Sequence, residues 1–118
     1  MSCSAIMFSL FLTSPCPQGG GAEINEAVAS AIANPQRPAE DVARDNGRKP
    51  DKVLSFFEVQ PGMTVFEMFA GGGYYTEILD SLVGEDGTVI AHNNDAYMSF
   101  VGEAHQKRHA DGRLANTK

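Results

Sequence analysis

The sequence predicts an α/β fold built around a parallel β-sheet, and two observations support this prediction. Apolar, β-branched segments typical of buried strands alternate with segments whose apolar residues recur at helical spacing. Three consecutive glycines, Gly71–Gly73, separate the first such strand from the first such helix. The order strand, helix, strand, helix is typical of a parallel sheet whose strands are connected by helices.

The predicted strands and helices of this sheet occupy the second half of the chain. A strand over Met63–Ala70 follows a Pro61-Gly62 turn and precedes a helix over Tyr74–Val83; a strand over Thr88–Ala91 precedes a helix over Ala96–Ala110. A parallel sheet is normally buried on both faces and has more than two strands. We therefore expect a Rossmann-like fold that is truncated after about two βα units.

A helical segment comes before the predicted sheet. We predict a first helix over Ile24–Ala33. The polar stretch Arg37–Arg48 follows, with a turn of helix that Pro38 starts and Asn46-Gly47 stops. Another helix opens at Lys49-Pro50-Asp51, and its apolar stripe consists of Val53, Leu54, Phe56 and Phe57. The predicted organisation is a leader over residues 1–22, a helical segment over 23–58 and the start of the Rossmann-like domain over 59–118.

The leader has features of a secretory signal peptide. Ala5–Leu12 is an apolar run, and Gly20-Gly21-Ala22 offers small residues for cleavage, although no positive charge precedes the run. We favour export to the periplasm or the exterior; the alternatives are an unstructured start or a wrong start codon, in a cytoplasmic protein. Both cysteines, Cys3 and Cys16, lie in this leader, so we expect no disulfide framework in the mature part.

The charge of the chain argues against nucleic acid as its main partner. The formal net charge is -6, whereas binding to a phosphate backbone needs clustered Lys and Arg. A short basic run, Gln106–His109, is flanked by acids, and we interpret it as a solvated helix face. No stretch of the mature part approaches the roughly 20 apolar residues of a transmembrane helix.

The three glycines lie in the first βα turn, where open α/β sheets bind ligands. Glycine lets backbone N–H groups approach a ligand closely, and a helix N-terminus favours an anionic group. A nucleotide-hydrolase phosphate loop is excluded because Tyr74 and Tyr75 stand where Gly-Lys-Ser/Thr is required. The dinucleotide fingerprint lacks its third glycine, whose place Thr76 takes. A tight turn without a ligand remains the alternative.

The segment Val59–Gly73 resembles motif I of class I S-adenosylmethionine-dependent methyltransferases, in which a strand ends in an acid before G-x-G-x-G. Glu67 matches the acid, or alternatively points to solvent, and Phe69 replaces the first glycine. The resemblance implies that the loop approaches the methionine part of S-adenosyl-L-methionine. An acid that binds the ribose hydroxyls is expected after the second strand, where Asn93 stands, with Asp95 as a substitute. The implied cofactor-binding residues are Glu67, Phe69, Ala70, Gly71, Gly72, Gly73, Tyr74, Asn93 and Asn94.

A narrower resemblance extends over roughly residues 27–115. The segments NPQRPAEDVARDNGRKPDKVLSFF, FAGGGYYTEIL and IAHNNDAYMSFVGE are similar to a bacterial group of predicted, often exported methyltransferases. It implies a methyltransferase with a small-molecule cofactor, and it leaves the methyl acceptor and the catalytic residues unassigned. The alternatives are a non-catalytic relic with little cofactor binding and an NAD-dependent oxidoreductase. We expect the 118-residue chain alone to bind the cofactor weakly or not at all and to tend to aggregate.

Other residues suggest chemistry less directly. His105 and His109 share a helix face near Asp111, but no third ligand has a position, so we expect no metal site. His92 either lines the cofactor cleft or is structural. Of Tyr74 and Tyr75, we expect one ring to cover the cofactor and the other to pack in the core.

Overall fold

The structure, a computed structural model, describes residues 20–118. The predicted leader therefore lies outside the described residues, except that Gly20-Gly21-Ala22 belong to the first helix. The elements in chain order are α1 Gly20–Ile32, α2 Ala39–Val42, α3 Asp45–Arg48, α4 Pro50–Phe56, β1 Thr64–Met68, α5 Tyr74–Val83, β2 Thr88–His92 and α6 Asp95–Ala110. Within residues 20–118, no helix has both the length and the apolar character needed to cross a bilayer.

The two strands pair in parallel, with Thr64 opposite Thr88 and Met68 opposite His92. This pairing confirms the predicted α/β class and the predicted order of strands and helices. On the other edge of β2 the chain returns in parallel at Thr117, where Val89 N–H donates to the Asn116 carbonyl at 2.9 Å and Ala91 N–H to the Lys118 carbonyl at 2.9 Å. Among the described residues β2 is therefore central, and β1 is an edge strand.

The hydrophobic core lies between α5 and one face of the sheet and is closed by α1 and α4. Ile78, Leu79 and Leu82 of α5, which recur at helical spacing in the sequence, are buried. They pack in one cluster with Val28 of α1, Leu54 of α4 and Val89 of β2. Burial of this helical stripe explains why α5 forms with the predicted bounds.

The other face of the sheet is open, and here the predictions of burial are wrong. Val65 and Glu67 of β1 face the helices, but Phe66 and Met68 are 57% and 65% exposed. No element of residues 20–118 covers them. In α4, Leu54 is buried and Val53 is half-buried, whereas the other two members of its predicted stripe, Phe56 and Phe57, are 80% and 68% exposed.

The turn between α3 and α4 also differs from prediction. Asn46-Gly47 lies inside α3 and does not stop it. The helix ends at Lys49, whose backbone is left-handed at φ 51°, and whose N–H donates to the Asp45 carbonyl at 2.8 Å. Pro50 follows as the first residue of α4, where a missing N–H costs no hydrogen bond. The proline and the left-handed lysine together separate the two helices.

Candidate functional site

The connection between β1 and α5 is a tight turn that requires glycine. Gly71 and Gly73 have φ angles of 64° and 91°, which side chains with a Cβ rarely adopt. The Gly73 N–H donates to the Ala70 carbonyl at 3.1 Å, and Gly73 caps the N-terminus of α5. We call Gly71–Gly73 the glycine loop; it lies at the carboxyl end of β1, with its backbone fixed by these contacts.

Phe69, which takes the place of the first glycine in the motif, also has a left-handed backbone, with φ 58°. Its ring meets the rings of His92 and Tyr97 edge-on, with centroids 6.1 Å and 5.7 Å away. The backbone therefore keeps a conformation that favours glycine although the residue is phenylalanine. The aromatic contacts offset part of the resulting strain. They also place His92 beside Phe69 at the strand ends.

Asn93 connects the end of β2 to the glycine loop. Its Oδ1 accepts a hydrogen bond from Gly71 N–H at 2.9 Å, and its Nδ2 donates to the Gly71 carbonyl at 3.2 Å. The structure thus brings Gly71 and Asn93 together at neighbouring strand ends. Both polar atoms of the amide are engaged by the loop itself. A carboxylate at this position could accept the first bond but could not donate the second.

Helix α6 lies over the glycine loop. A Cβ built on Gly71 would lie 3.4 Å from the Tyr97 hydroxyl, and one built on Gly72 would lie 3.4 Å from the Ala104 Cβ. Arg108 Nε donates to the Gly72 carbonyl at 2.7 Å. Asn94 is the N-cap of this helix, since its Oδ1 accepts from Tyr97 N–H at 2.7 Å. In this conformation α6 fills the space in front of the loop, and the side chain of Asn94 serves the helix.

Arg108 fixes this arrangement through buried acids. Its guanidinium forms an ion pair with Asp41 of α2 at 2.8 Å and another with Glu77 of α5. Asp41 and Glu77 are 2% and 4% exposed, so each carboxylate needs a charged partner. Arg113 forms a further ion pair with Glu77. The interpretation of Gln106–His109 as a solvated face is therefore wrong at Arg108.

Glu67 points toward α5. Its Oε2 accepts a hydrogen bond from the Thr76 hydroxyl at 2.5 Å. Burial raises the pKa of the Glu67 carboxyl to about 7, and the Thr76 hydrogen bond opposes that rise. The side chain is half-buried, so the solvent-facing alternative does not describe it. The contact gives Thr76, at the third position of the fingerprint, a structural role, because its hydroxyl donates to this half-buried carboxyl.

The two tyrosines that open α5 both bind the α3 segment. The Tyr74 hydroxyl donates to Asp45 Oδ1 at 2.5 Å, and burial is the main cause that raises the pKa of Tyr74 to about 12. The guanidinium of Arg48 lies 4.7 Å from the Tyr74 ring centroid. The Tyr75 hydroxyl donates to the Arg48 carbonyl at 3.1 Å. These contacts use both hydroxyls to join the helical segment to α5.

The histidines of α6 pack against each other. The ring centroids of His105 and His109 are 4.3 Å apart, and His105 Nδ1 lies 3.4 Å from Asn93 Nδ2. Burial lowers the pKa of His109, and the neighbouring His105 adds to that effect. Within residues 20–118, no group of three or more His, Cys, Asp or Glu side chains could hold a metal ion.

Comparisons with protein-family models, with curated proteins and with solved structures give no match. Asn93 was predicted as a cofactor-binding residue because the resemblance to motif I implies an acid after the second strand, where Asn93 stands. Tyr97, Ala104 and Arg108 were not identified. No local motif marks them, and only the path of α6 across the loop brings them to the glycines.

Proposed function

We propose that this chain contains the S-adenosylmethionine-binding part of a methyltransferase, with the glycine loop and Asn93 as the centre of the site. The contact between Gly71 and Asn93 supports this proposal most directly, because it joins a glycine turn and a polar side chain at the carboxyl ends of adjacent parallel strands. Ligands of open α/β sheets bind at that position. The resemblance of Val59–Gly73 to motif I points to this cofactor.

The chemistry of the available groups fits such a cofactor. The Asn93 amide can accept from and donate to ribose hydroxyls, and the glycine loop presents bare backbone. When bound, S-adenosylmethionine supplies an electrophilic methyl group; the chain binds and orients it. Since α6 covers the loop, Tyr97 and Ala104 must move away before a ligand can enter. Affinity falls in proportion to the fraction of molecules in the open state, so we expect weak binding by the unaltered chain.

A second candidate is a relic that keeps the motif without binding the cofactor. It is favoured by the same packing, because Asn93 already satisfies both polar groups of Gly71. An NAD-dependent oxidoreductase is disfavoured, since Thr76 is 1% exposed and is bonded to Glu67 where the dinucleotide fingerprint needs a glycine.

The substitution Asn93→Asp separates the first two candidates. Aspartate cannot donate to the Gly71 carbonyl, so it loosens the contact that closes the loop, and its carboxylate accepts charge-assisted hydrogen bonds from ribose hydroxyls. We expect the affinity for S-adenosylmethionine and S-adenosylhomocysteine to rise about tenfold, or about 1.4 kcal/mol, in isothermal titration. Asn46→Asp is the matched control: it adds the same charge at an exposed residue of α3, outside the predicted cofactor-binding residues, and its carboxylate can still accept from Lys49.

Gly72→Val tests the loop itself. Gly72 is the glycine of the loop without a positive φ, and a Cβ there meets only the Ala104 Cβ at 3.4 Å. The fold should therefore tolerate valine at Gly72 better than valine at Gly71 or Gly73. The branched side chain should keep a ligand away from the backbone of the glycine loop, so we expect Gly72→Val to abolish cofactor binding. Gly47→Val is the control, with nothing within 4 Å of its Cβ position. The proposal would be contradicted if the chain bound NAD but neither S-adenosylmethionine nor S-adenosylhomocysteine. It would also be contradicted if neither of these two bound to the Asn93→Asp variant.

A further inference from the structure

Three arginine side chains gather around the ring of Tyr74, the first residue of α5. The guanidinium carbons of Arg37, Arg44 and Arg48 lie 5.6 Å, 5.2 Å and 4.7 Å from the ring centroid. Aromatic rings attract guanidinium groups at such distances. One ring therefore brings together three positive charges, although the chain as a whole has a formal net charge of -6.

The most buried of these arginines already has a counter-ion. Arg37 is 6% exposed, and its two terminal nitrogens donate to the two carboxylate oxygens of Asp45 at 2.8 Å and 2.6 Å. The Tyr74 hydroxyl donates to the same carboxylate at 2.5 Å. The single negative charge of Asp45 is thus balanced by Arg37, and the other two arginines need a different partner.

Arg44 and Arg48, which we call the arginine pair, are exposed and lack a matching carboxylate. Arg44 Nη1 lies 3.3 Å from Asp41 Oδ1, but the Arg44 side chain is 48% exposed, and the other oxygen of Asp41 pairs with Arg108 at 2.8 Å. An ion pair this exposed contributes little to stability. Among residues 26–118, no carboxylate forms an ion pair with Arg48. One guanidinium charge therefore remains without a counter-ion.

The position of the arginine pair is electrostatically unfavourable unless an anion binds there. The Arg48 N–H donates to the Arg44 carbonyl at 3.0 Å, so the two residues share one helical turn at a spacing where like charges destabilise a helix. Both guanidiniums also approach the residue that opens α5, and a helix N-terminus carries partial positive charge. The N-cap of α5 is Gly73, which has no side chain that could cap the helix. A bound anion would offset both effects.

The arginine pair lies beside the glycine loop. Tyr74, which both arginines contact, follows the loop directly in the chain. Arg44 pairs with Asp41, Asp41 pairs with Arg108, and Arg108 Nε donates to the Gly72 carbonyl at 2.7 Å. Only one carboxylate and one guanidinium therefore separate the arginine pair from the loop, a span that a small metabolite can bridge.

We propose that the arginine pair binds a carboxylate or phosphate group of the methyl acceptor. The planar guanidinium fork binds either group through two parallel hydrogen bonds. The Tyr74 ring holds both forks on one side of the helical turn, where they can act on the same anion. That the anion belongs to a methyl acceptor rests on the proposed function, whereas anion binding itself follows from the arginine pair. The site thus selects a small anionic acceptor and anchors it beside the loop.

Titration of the full chain with inorganic phosphate tests the anion site. We would follow the Nε–H signals of Arg44 and Arg48 by NMR near neutral pH, with sodium chloride of equal ionic strength as the reference. We expect phosphate to shift both signals saturably. Arg48→Gln should raise the dissociation constant for phosphate about tenfold, and Arg48→Lys should raise it less, because lysine keeps the charge but loses the fork.

Lys52→Gln is the matched control, since it removes the same charge from an exposed residue of α4. A distant exposed charge is screened by salt, so the dissociation constant should change by less than about twofold. Circular dichroism melting checks that the variants keep the fold; the Arg48 carbonyl that binds Tyr75 is unaltered by these substitutions. Equal shifts with phosphate and chloride, or unchanged phosphate binding in Arg48→Gln, would overturn the proposal.

Competition with S-adenosylhomocysteine identifies the source of the anion, because this molecule carries a carboxylate of its own. In the Asn93→Asp background, we expect saturating S-adenosylhomocysteine to leave phosphate binding unchanged and Arg48→Gln to leave S-adenosylhomocysteine binding unchanged. Displacement of phosphate by S-adenosylhomocysteine would assign the arginine pair to the cofactor and overturn the proposal. If phosphate binds but S-adenosylhomocysteine does not, the proposed function fails and the methyl acceptor is rejected as the source, while the anion site itself is retained.

Discussion

At the residue scale, Phe69 holds a backbone conformation that a glycine would adopt without strain. A left-handed φ of 58° costs a residue with a Cβ about 1 kcal/mol. We therefore expect Phe69→Gly to have a free energy of unfolding about 1 kcal/mol higher than Phe69→Ala, although glycine normally lowers stability. Chemical denaturation of both variants measures the difference. At Phe66, in the extended strand β1, we expect the opposite: Phe66→Ala should have a higher free energy of unfolding than Phe66→Gly. Equal stabilities at position 69 would count against strain there.

Glu67 should make stability depend on pH in an unusual direction. Its pKa rises from 4.5 to about 7 on folding, mainly through burial, so between these values the folded state binds more protons than the unfolded state. Stability is therefore lost as pH rises through 7, by at most about 3 kcal/mol. Glu67→Gln keeps an acceptor for Thr76 and should remove this contribution, whereas Glu85→Gln, at an exposed site, should not. Thermal melts between pH 5 and 8 measure this dependence. If the melting temperature of Glu67→Gln falls with pH as steeply as that of the unaltered chain, Glu67 is not the cause.

At the element scale, the sequence predicted what local signals determine. The bounds of α5 agree with prediction, because its apolar stripe begins after the glycine loop and ends before Gly84. The strands and α6 agree within one or two residues. The exposure of Phe66 and Phe57 could not be predicted, since it depends on which elements cover the sheet. The position of α6 could not be predicted either, because none of its residues is buried. It is held in place by contacts of Arg108, Asn93 and Asn94.

At the scale of the whole molecule, buried acids of α5 connect parts that are distant in sequence. Glu77 binds Arg108 and Arg113, while Asp80 binds the chain where it returns to the sheet. The apolar core explains how α1, α4, α5 and the sheet pack together, but α6 and the last residues depend on these carboxylates. Charged groups therefore determine how the second half of the chain folds back over the first.

Asp80 is the clearest test of this arrangement. Its Oδ2 accepts from Asn116 N–H at 2.8 Å and from the Thr117 hydroxyl at 2.6 Å, which holds the last residues beside β2. In Asp80→Ala these donors lose their acceptor, at a cost of about 1–3 kcal/mol. We expect the Val89 and Ala91 amides, which donate to Asn116 and Lys118, to exchange with solvent about ten- to hundredfold faster.

The Thr88 amide provides an internal reference, because it donates to Met63 on the β1 side of the same strand. Local release of the last residues should leave its exchange unchanged, and Ser81→Ala, at an exposed neighbour of Asp80, should alter none of the three amides. Native-state hydrogen exchange followed by NMR resolves each amide separately. Equal acceleration at Thr88, Val89 and Ala91 would mean that Asp80 supports the whole sheet, and no acceleration would mean that the paired backbone holds the last residues without it.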